Sequence, residues 1–178
     1  HYEELKEYFH QFAQESTEKM QTPVCYCKNM SVDAILHYYA SQLEQKGIKY
    51  KYSVEVPEKM KVSDLDICRI FGNLMENAVR AVQKEENADE AYVNCICKVK
   101  MGKLLINIEN TYAGEVKRNG AVFYSTGHSG QGIGIASVSK TAEKYGGYAD
   151  FSARNGVFRA NVFIPLEDMN LRLSDKAG

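Results

Sequence analysis

Apolar side chains recur at three- and four-residue intervals in four stretches of the chain, a spacing typical of amphipathic helices. The predicted helices cover residues 2–20, 31–45, 66–84 and 133–145. Ser63 precedes the third helix as its expected N-cap, and Asp66 stands three residues later like the acidic partner of a capping box. Gly47 is expected to stop the second helix, and Gly146 and Gly147 are expected to stop the fourth.

Apolar and polar side chains alternate in five further stretches, which is typical of strands with one buried face. The predicted strands cover residues 48–56, 91–100, 103–109, 148–153 and 157–164. Short turns at residues 101–102 and 154–156 would join the last four strands into two hairpins. The order of elements predicts an α+β fold, a two-layer sandwich of a mixed sheet of about five strands with three helices on one face, preceded by an N-terminal helix. The opposite face of the sheet would be only partly covered.

The periodicity fails between residues 111 and 131, where four glycines occur, namely Gly114, Gly120, Gly127 and Gly130. A segment of this length without regular structure inside a compact domain is usually functional or mobile. We therefore expect a long loop between the third strand and the fourth helix.

The composition describes a chain that can form a substantial core, with 44% hydrophobic and 25% charged residues among 178. The net charge is -1 and the lysines and arginines are scattered, which argues against a nucleic-acid surface. No run approaches the roughly 20 apolar residues that span a bilayer, and the start shows no signal-peptide pattern. The chain does not begin with Met, so we expect a fragment of a longer protein.

Five cysteines are present, and we interpret all of them as reduced thiols. Cys95 and Cys97 alternate along a predicted strand, and no second pair of cysteines or histidines lies at ligand spacing. We therefore expect them to be packing residues rather than half of a metal site.

Polar side chains form one stripe along the third predicted helix, and apolar side chains form the opposite stripe. Asparagine is a poor residue for a helix interior, so Asn73 and Asn77, one turn apart, need an explanation. The polar stripe is either a solvated face or a site that offers amide oxygens and positive charge to a magnesium-bound polyphosphate. Its members are Asp66, Arg69, Asn73, Asn77, Arg80 and Lys84.

Glycines alternate in the sequence Gly130-Gln131-Gly132-Ile133-Gly134, which runs into the fourth predicted helix. Glycine allows a polyphosphate to approach the backbone, and the exposed amides at a helix N-terminus favour anions. The motif alone is weak evidence for a nucleotide site. It lacks the feeding strand of a dinucleotide fingerprint and the lysine of a Walker loop.

Together, Asn73-x-x-x-Asn77 on a helix, a long loop and the glycine motif resemble the ATP-binding domain of histidine kinases, which belongs to the GHKL ATPases of the Bergerat fold. The resemblance covers residues 31–166 and is greatest to the peptide-sensing, quorum-type branch of bacterial sensor kinases. It implies ATP and Mg²⁺ as ligands. It also implies a catalytic domain over residues 23–170, with a lid over the nucleotide at residues 111–131 and a tail at residues 171–178.

Single residues acquire roles from this resemblance. Asn77 matches the magnesium ligand, and Asn73 takes the catalytic position in which hydrolytic members carry a glutamate. An amide cannot act as that base, which favours phosphoryl transfer over the hydrolysis of gyrase-type or mismatch-repair ATPases. Arg80 would lie near the phosphates. The nucleotide-binding residues of the glycine motif would be Gly130, Gly132, Ile133 and Gly134.

Asn110 stands where the family's adenine-binding box has an aspartate, and no glycine follows until Gly114. Its amide can accept a hydrogen bond from the adenine amine and donate one to the adjacent ring nitrogen, so adenine binding is expected to be retained. Asn110 could instead be an ordinary strand-end residue that starts a turn. In the same way, Ile133 and Ile135 could anchor the loop in the core, and Arg80 could be a solvated surface side chain.

The resemblance implies a domain that donates the γ-phosphoryl group of ATP to a histidine on a dimerisation helix. None of the four histidines in the chain is followed by the acidic residue expected after a phosphoacceptor, so we expect the acceptor to lie upstream. Residues 1–22 would be a remnant of the dimerisation helix, and the fragment alone would not complete autophosphorylation.

The expected partners are a response regulator and, in the full-length kinase, a second copy of the protein. The domain would be cytoplasmic and would meet a membrane only through an absent upstream sensor region. The alternative is a nucleotide-dependent or degenerate protein-interaction module without phosphoryl transfer.

Overall fold

The computed structural model describes residues 24–85, 87–114, 118–119, 122–123 and 133–166. Three helices occur in this part of the chain, α1 (Met30–Gln45), α2 (Asp64–Val82) and α3 (Ile133–Lys144). They confirm the second, third and fourth predicted helices. The predicted helix over residues 2–20 and the tail over residues 171–178 lie outside the described residues. No helix within the described ranges is both long enough and apolar enough to cross a membrane.

The strands of the described residues include all five that the alternation predicted. Met101 and Gly102 have φ angles of 50° and 68°, the conformation of a two-residue hairpin turn. Asn155 and Gly156 repeat it at 52° and 72°. The strands are β1 (Lys49–Val54), β2 (Tyr92–Lys100), β3 (Lys103–Thr111), β4 (Arg118–Asn119), β5 (Val122–Phe123), β6 (Tyr148–Arg154) and β7 (Val157–Pro165).

The five long strands form one mixed sheet in the order β1-β2-β3-β7-β6. β1 pairs with β2 in parallel, and the other neighbouring strands are antiparallel. α2 makes the crossover from β1 to β2 and contacts both α1 and α3. This arrangement confirms the predicted α+β sandwich.

One face of the sheet carries the core under the helices. Side chains alternate along β3, so Leu104, Ile106 and Ile108 share this face, and all three are buried. Full burial of each such side chain contributes about 1.5–3 kcal/mol relative to its exposure. The largest buried apolar side chains of α2 on this core are Ile67, Ile70, Phe71, Leu74 and Met75.

The opposite face, which we call the open face, is partly exposed, as predicted. Tyr148 is 56% exposed although its ring stacks on another ring of this face. The Glu109 carboxylate accepts a 2.7 Å hydrogen bond from the Tyr92 hydroxyl and pairs with the Arg159 guanidinium at 2.5 Å. These contacts join β2, β3 and β7 on the side away from the helices.

The predicted lid contains a small ladder of two strands. β4 and β5 are antiparallel, with Arg118 opposite Phe123 and Asn119 opposite Val122. The prediction of a continuous loop was therefore wrong at this point, because two-residue strands are too short to show an alternating pattern. Thr111 belongs to β3 rather than to the lid.

Cys95 and Cys97 behave as packing residues. All five cysteines are free thiols, and Cys95 and Cys97 are buried in β2. Burial raises the pKa of the Cys97 thiol to about 12 and the pKa of Cys95 well above its ordinary value. Both thiols therefore stay protonated near neutral pH, which fits the predicted structural role.

Candidate functional site

α2 presents the predicted polar residues outside its apolar stripe. Ser63 caps the start of the helix, and its hydroxyl accepts a 3.2 Å hydrogen bond from the backbone N–H of Asp66. Intervals of three and four residues then place Asn73, Asn77 and Arg80 on one face. The two asparagines are half-buried, whereas Arg80 is 61% exposed. This face is therefore neither part of the core nor fully solvated.

The start of α3 lies against Asn73. A Cβ atom built on Gly134 would stand 3.0 Å from Asn73 Oδ1, closer than ordinary van der Waals contact. Asn73 Nδ2 donates a 2.7 Å hydrogen bond to the Arg69 carbonyl one turn earlier, which holds the amide with its oxygen towards α3. The fold thus brings together Asn73 and Gly134, two predicted site residues that are distant in sequence.

Asn77 makes no side-chain hydrogen bond to another described residue. Its half-buried amide oxygen fits the hard oxygen ligands that Mg²⁺ takes in proteins. Within the described ranges, no three His, Cys, Asp or Glu side chains are grouped so that they could hold a metal ion. Since Mg²⁺ usually keeps several waters and takes only a few protein ligands beside substrate phosphates, one amide suits an ion delivered with a nucleotide.

Arg80 supplies positive charge on the same face. Its Nε lies 3.2 Å from Glu76 Oε1, and Glu76 also accepts a 3.2 Å hydrogen bond from the Tyr39 hydroxyl of α1. Both members of the Arg80–Glu76 pair are substantially exposed, so the pair contributes only about 0.3–0.5 kcal/mol. The guanidinium can therefore exchange this carboxylate for a phosphate at little cost.

Asn110 lies within β3, paired with Val93 of β2 and Phe158 of β7. Its side chain continues the buried row after Ile108, is 2% exposed, and donates a 2.8 Å hydrogen bond to the Thr111 carbonyl. β3 ends at Thr111, so Asn110 stands one residue before the strand end, and both interpretations of it stay predictions. A buried amide at the end of an apolar row can recognise the polar edge of a base.

The glycine motif is described from its fourth residue onward. Gly130 and Gly132 lie outside the described residues. Ile133 is the first residue of α3 and is 81% exposed, so the alternative that it anchors the loop in the core was wrong. α3 starts at the surface, so the side chain of Ile133 does not pack beneath the first turn of the helix.

Asp66 departs most from the prediction. It was expected on the polar stripe and as the capping-box partner of Ser63, but it is 2% exposed. Its carboxylate accepts hydrogen bonds from Lys144 Nζ at 2.6 Å, the Tyr145 hydroxyl at 2.7 Å and Arg69 Nη1 at 2.8 Å. The backbone N–H of Ser63 donates to the Tyr145 hydroxyl at 3.1 Å instead. We call Asp66, Arg69, Lys144 and Tyr145 the Asp66 cluster.

The cluster perturbs its carboxyl group. The hydrogen bonds from Lys144 and then Tyr145 lower the pKa of Asp66 to about 2. Sequence reasoning missed the cluster because Lys144 is 78 residues away in the chain. One feature of the sequence did indicate that Asp66 could be buried. It lies four residues before the apolar Ile70, which places it beside the apolar stripe.

The fold resembles that of histidine-kinase catalytic domains. The nucleotide-free catalytic domain of histidine kinase ThkA matches with a TM-score of 0.57 and 14% identity, over 78% of this chain and 92% of that chain. The Acinetobacter baumannii histidine kinase AdeS matches with a TM-score of 0.55 and 14% identity, over 78% and 64% of the two chains. Full-length ShkA in complex with AMPPNP matches with a TM-score of 0.58 and 18% identity, over 76% and 29%. At these identities the likeness establishes the fold alone.

The sequence itself also identifies a family. A comparison with curated proteins gave no match. The family model of the GHKL domain matches residues 62–165, from just before the N-cap of α2 to the end of β7. This range is more than half of the 178-residue chain. The chain therefore belongs to the GHKL domain family.

Proposed function

We propose that this chain binds Mg-ATP as the catalytic domain of a sensor histidine kinase. The observation that carries the proposal is the contact between Gly134, at the start of α3, and the Asn73 amide on α2. A helix N-terminus attracts anions because its first amides are unpaired and the helix dipole is positive there. The contact supports an anion site beside the polar face of α2.

The ligand class is supported by the chemistry of that face and by the comparisons. Arg80 offers a cation for phosphate oxygens, and Asn77 would hold Mg²⁺ through its amide oxygen. When bound, the ion neutralises charge on the phosphates. Asn110 offers a buried amide for the adenine edge. GHKL membership and the AMPPNP complex of ShkA, a protein of the same fold, support ATP as the nucleotide.

The residue at the catalytic position favours transfer over hydrolysis. The Asn73 amide cannot remove a proton from water, and it is held by its bond to the Arg69 carbonyl. We therefore propose that the γ-phosphoryl group passes to a histidine upstream of this chain. Among the described residues, His37 is not the candidate acceptor, because it lies on α1 and is followed by Tyr38 rather than by an acidic residue.

The context of the whole kinase follows from the sequence resemblance. We propose that the full-length protein is a homodimer that passes the phosphoryl group to a response regulator. We further propose that it belongs to the quorum-type branch, with this domain in the cytoplasm. Residues 1–22 would be a remnant of the dimerisation helix.

The transfer step is tested in the longer protein that includes the upstream helix. Incubation with Mg-ATP should produce acid-labile phosphate on histidine in the wild type and much less in Asn77→Ala. Mg-ATP binding without any acid-labile phosphate would favour the alternative, a nucleotide-dependent interaction module. The alternative is supported by Asn110, which stands where the family has an aspartate.

A further inference from the structure

α3 is joined to α2 at two separate places. Near the N-terminus of α3, Gly134 meets Asn73, and just beyond its C-terminus Tyr145 binds Asp66. The earlier residue of α2, Asp66, meets the later residue, Tyr145, and the later residue of α2, Asn73, meets the earlier one, Gly134. The two helices are therefore antiparallel. Asp66 and Asn73 are about 10 Å apart along α2, and Gly134 and Tyr145 about 16 Å apart along the axis of α3, from the rise of 1.5 Å per residue. The hydrogen bonds at the C-terminal end hold α3 to α2, and the contact at Gly134 shows where its N-terminal end then lies.

The Asp66 cluster is also connected to the site within α2. Arg69 Nη1 donates a 2.8 Å hydrogen bond to Asp66 Oδ1, and the Arg69 carbonyl accepts the 2.7 Å hydrogen bond from Asn73 Nδ2. The other carboxylate oxygen of Asp66, Oδ2, accepts from Lys144 and Tyr145. One buried carboxylate therefore links the helix that carries Asn73 to the helix that carries Gly134.

We propose that Asp66 is a positioning residue of the nucleotide site, holding α3 against α2 so that the first amides of α3 stay beside Asn73. This inference rests on the proposed function. Asp66 acts on the ligand through Arg69 and through α3, at the phosphate side of the site. The adenine side depends on Asn110, which the pairing of β3 with β2 and β7 holds independently.

The test compares wild type with Asp66→Asn by titration of the 178-residue chain with Mg-ATP and, separately, with adenosine. The Kd for Mg-ATP should rise about tenfold, because the amide cannot replace the charge-assisted hydrogen bonds of the carboxylate. The Kd for adenosine should change less than about twofold, because the sheet holds the adenine side. A purely structural role would weaken both ligands by the same factor.

A second pair of variants tests the same role with a smaller change, in case Asp66→Asn does not fold. Tyr145→Phe removes the 2.7 Å hydrogen bond to Asp66 together with the 3.1 Å hydrogen bond from the backbone N–H of Ser63, and it should raise the Kd for Mg-ATP about threefold. Tyr92→Phe is the matched control, since it removes a 2.7 Å hydrogen bond from a tyrosine hydroxyl to Glu109 on the open face. Its Mg-ATP affinity should equal that of the wild type. Circular dichroism at the titration temperature would establish that each variant is folded.

The outcomes separate this inference from the proposed function. One outcome is that the wild type binds Mg-ATP and that folded Asp66→Asn and Tyr145→Phe bind it with the same affinity. That result would overturn the positioning role alone. Equal weakening of Mg-ATP and adenosine would also overturn it. No binding of Mg-ATP by the wild type would overturn the proposed function as well.

Discussion

The two ends of α3 meet the rest of the domain through different kinds of atoms. Beyond the C-terminal end, a Cβ atom on Gly147 would stand 1.9 Å from the backbone carbonyl oxygen of Phe163 in β7. At the N-terminal end, a Cβ atom on Gly134 would stand 3.0 Å from the side chain of Asn73. A paired strand cannot move aside, whereas a side chain can rotate. The same substitution should therefore damage the fold at one end and adjust the site at the other.

This difference shows that α3 is held more firmly at its C-terminal end than at its N-terminal end. The C-terminal end of α3 also carries Lys144 and Tyr145, which bind the buried Asp66. The N-terminal end begins at the exposed Ile133. The anchoring contacts thus lie at the end of α3 remote from the proposed phosphate site, which leaves the first amides of the helix available to a ligand.

The largest expected effect is that of Gly147→Ala. The new Cβ would force the backbone of β7 or of the α3–β6 turn to shift, so we expect a loss of about 3 kcal/mol or more in the free energy of unfolding. Urea denaturation measures it. Gly146→Ala is the matched control, because a Cβ there meets no described residue within 4 Å and the positive φ of 73° costs only about 1–2 kcal/mol. Equal losses for the two variants would show that the close approach to Phe163 is absent.

The second-largest effect is expected from acid, which should weaken the contacts of Asp66 with the C-terminal end of α3. The pKa of Asp66 in the folded protein is about 2, below its ordinary value of 3.8, so its carboxylate stabilises the fold above about pH 4. This stabilisation is lost as the pH falls through about 2. The stability difference between wild type and Asp66→Asn should therefore shrink between about pH 4 and pH 2, and urea denaturation at several pH values measures it. A difference that stays constant over this range would refute the assigned ion pair with Lys144.

The smallest effect on stability is expected for Gly134→Ala. Asn73 must give way by a few tenths of an ångström, while alanine favours the helix by about 0.5–1 kcal/mol, so stability should change by less than about 1 kcal/mol. The affinity for Mg-ATP should fall about fivefold, because the displaced amide lies at the phosphate side. Gly72→Ala in α2 is the control: its Cβ meets no described residue within 4 Å. If both variants bind Mg-ATP equally well, Asn73 and the start of α3 do not form the site.

The sequence predicted those parts of the fold that depend on local periodicity. α2 and the hairpin at Met101 and Gly102 could be located because their side-chain spacing and turn residues are local signals. Asn73 and Gly134 could be named from motifs, but their contact depends on how α3 packs across α2. The packing of two helices is set by many side chains at once, so no short stretch encodes it.

The features that escaped prediction have physical reasons too. Asp66 was placed on a polar stripe because it is charged, yet three donors make its burial tolerable, and two of them come from a distant part of the chain. Ile133 was offered as a core anchor because it is apolar, yet a helix that starts at the surface exposes its first residue. Single apolar side chains on a surface are common, so hydrophobicity alone could not decide its place.

The central claim is that the polar face of α2 binds a magnesium nucleotide through Asn77. Calorimetric titration with ATP, with and without Mg²⁺, tests it on wild type, Asn77→Ala and Asn94→Ala. Asn94 is the matched control, a half-buried amide on the open face that also makes no side-chain hydrogen bond to another described residue. We predict magnesium-dependent binding by the wild type and Asn94→Ala, and a loss of about tenfold or more in affinity for Asn77→Ala. Absence of binding by the wild type, or undiminished magnesium-dependent binding by Asn77→Ala, would contradict the account.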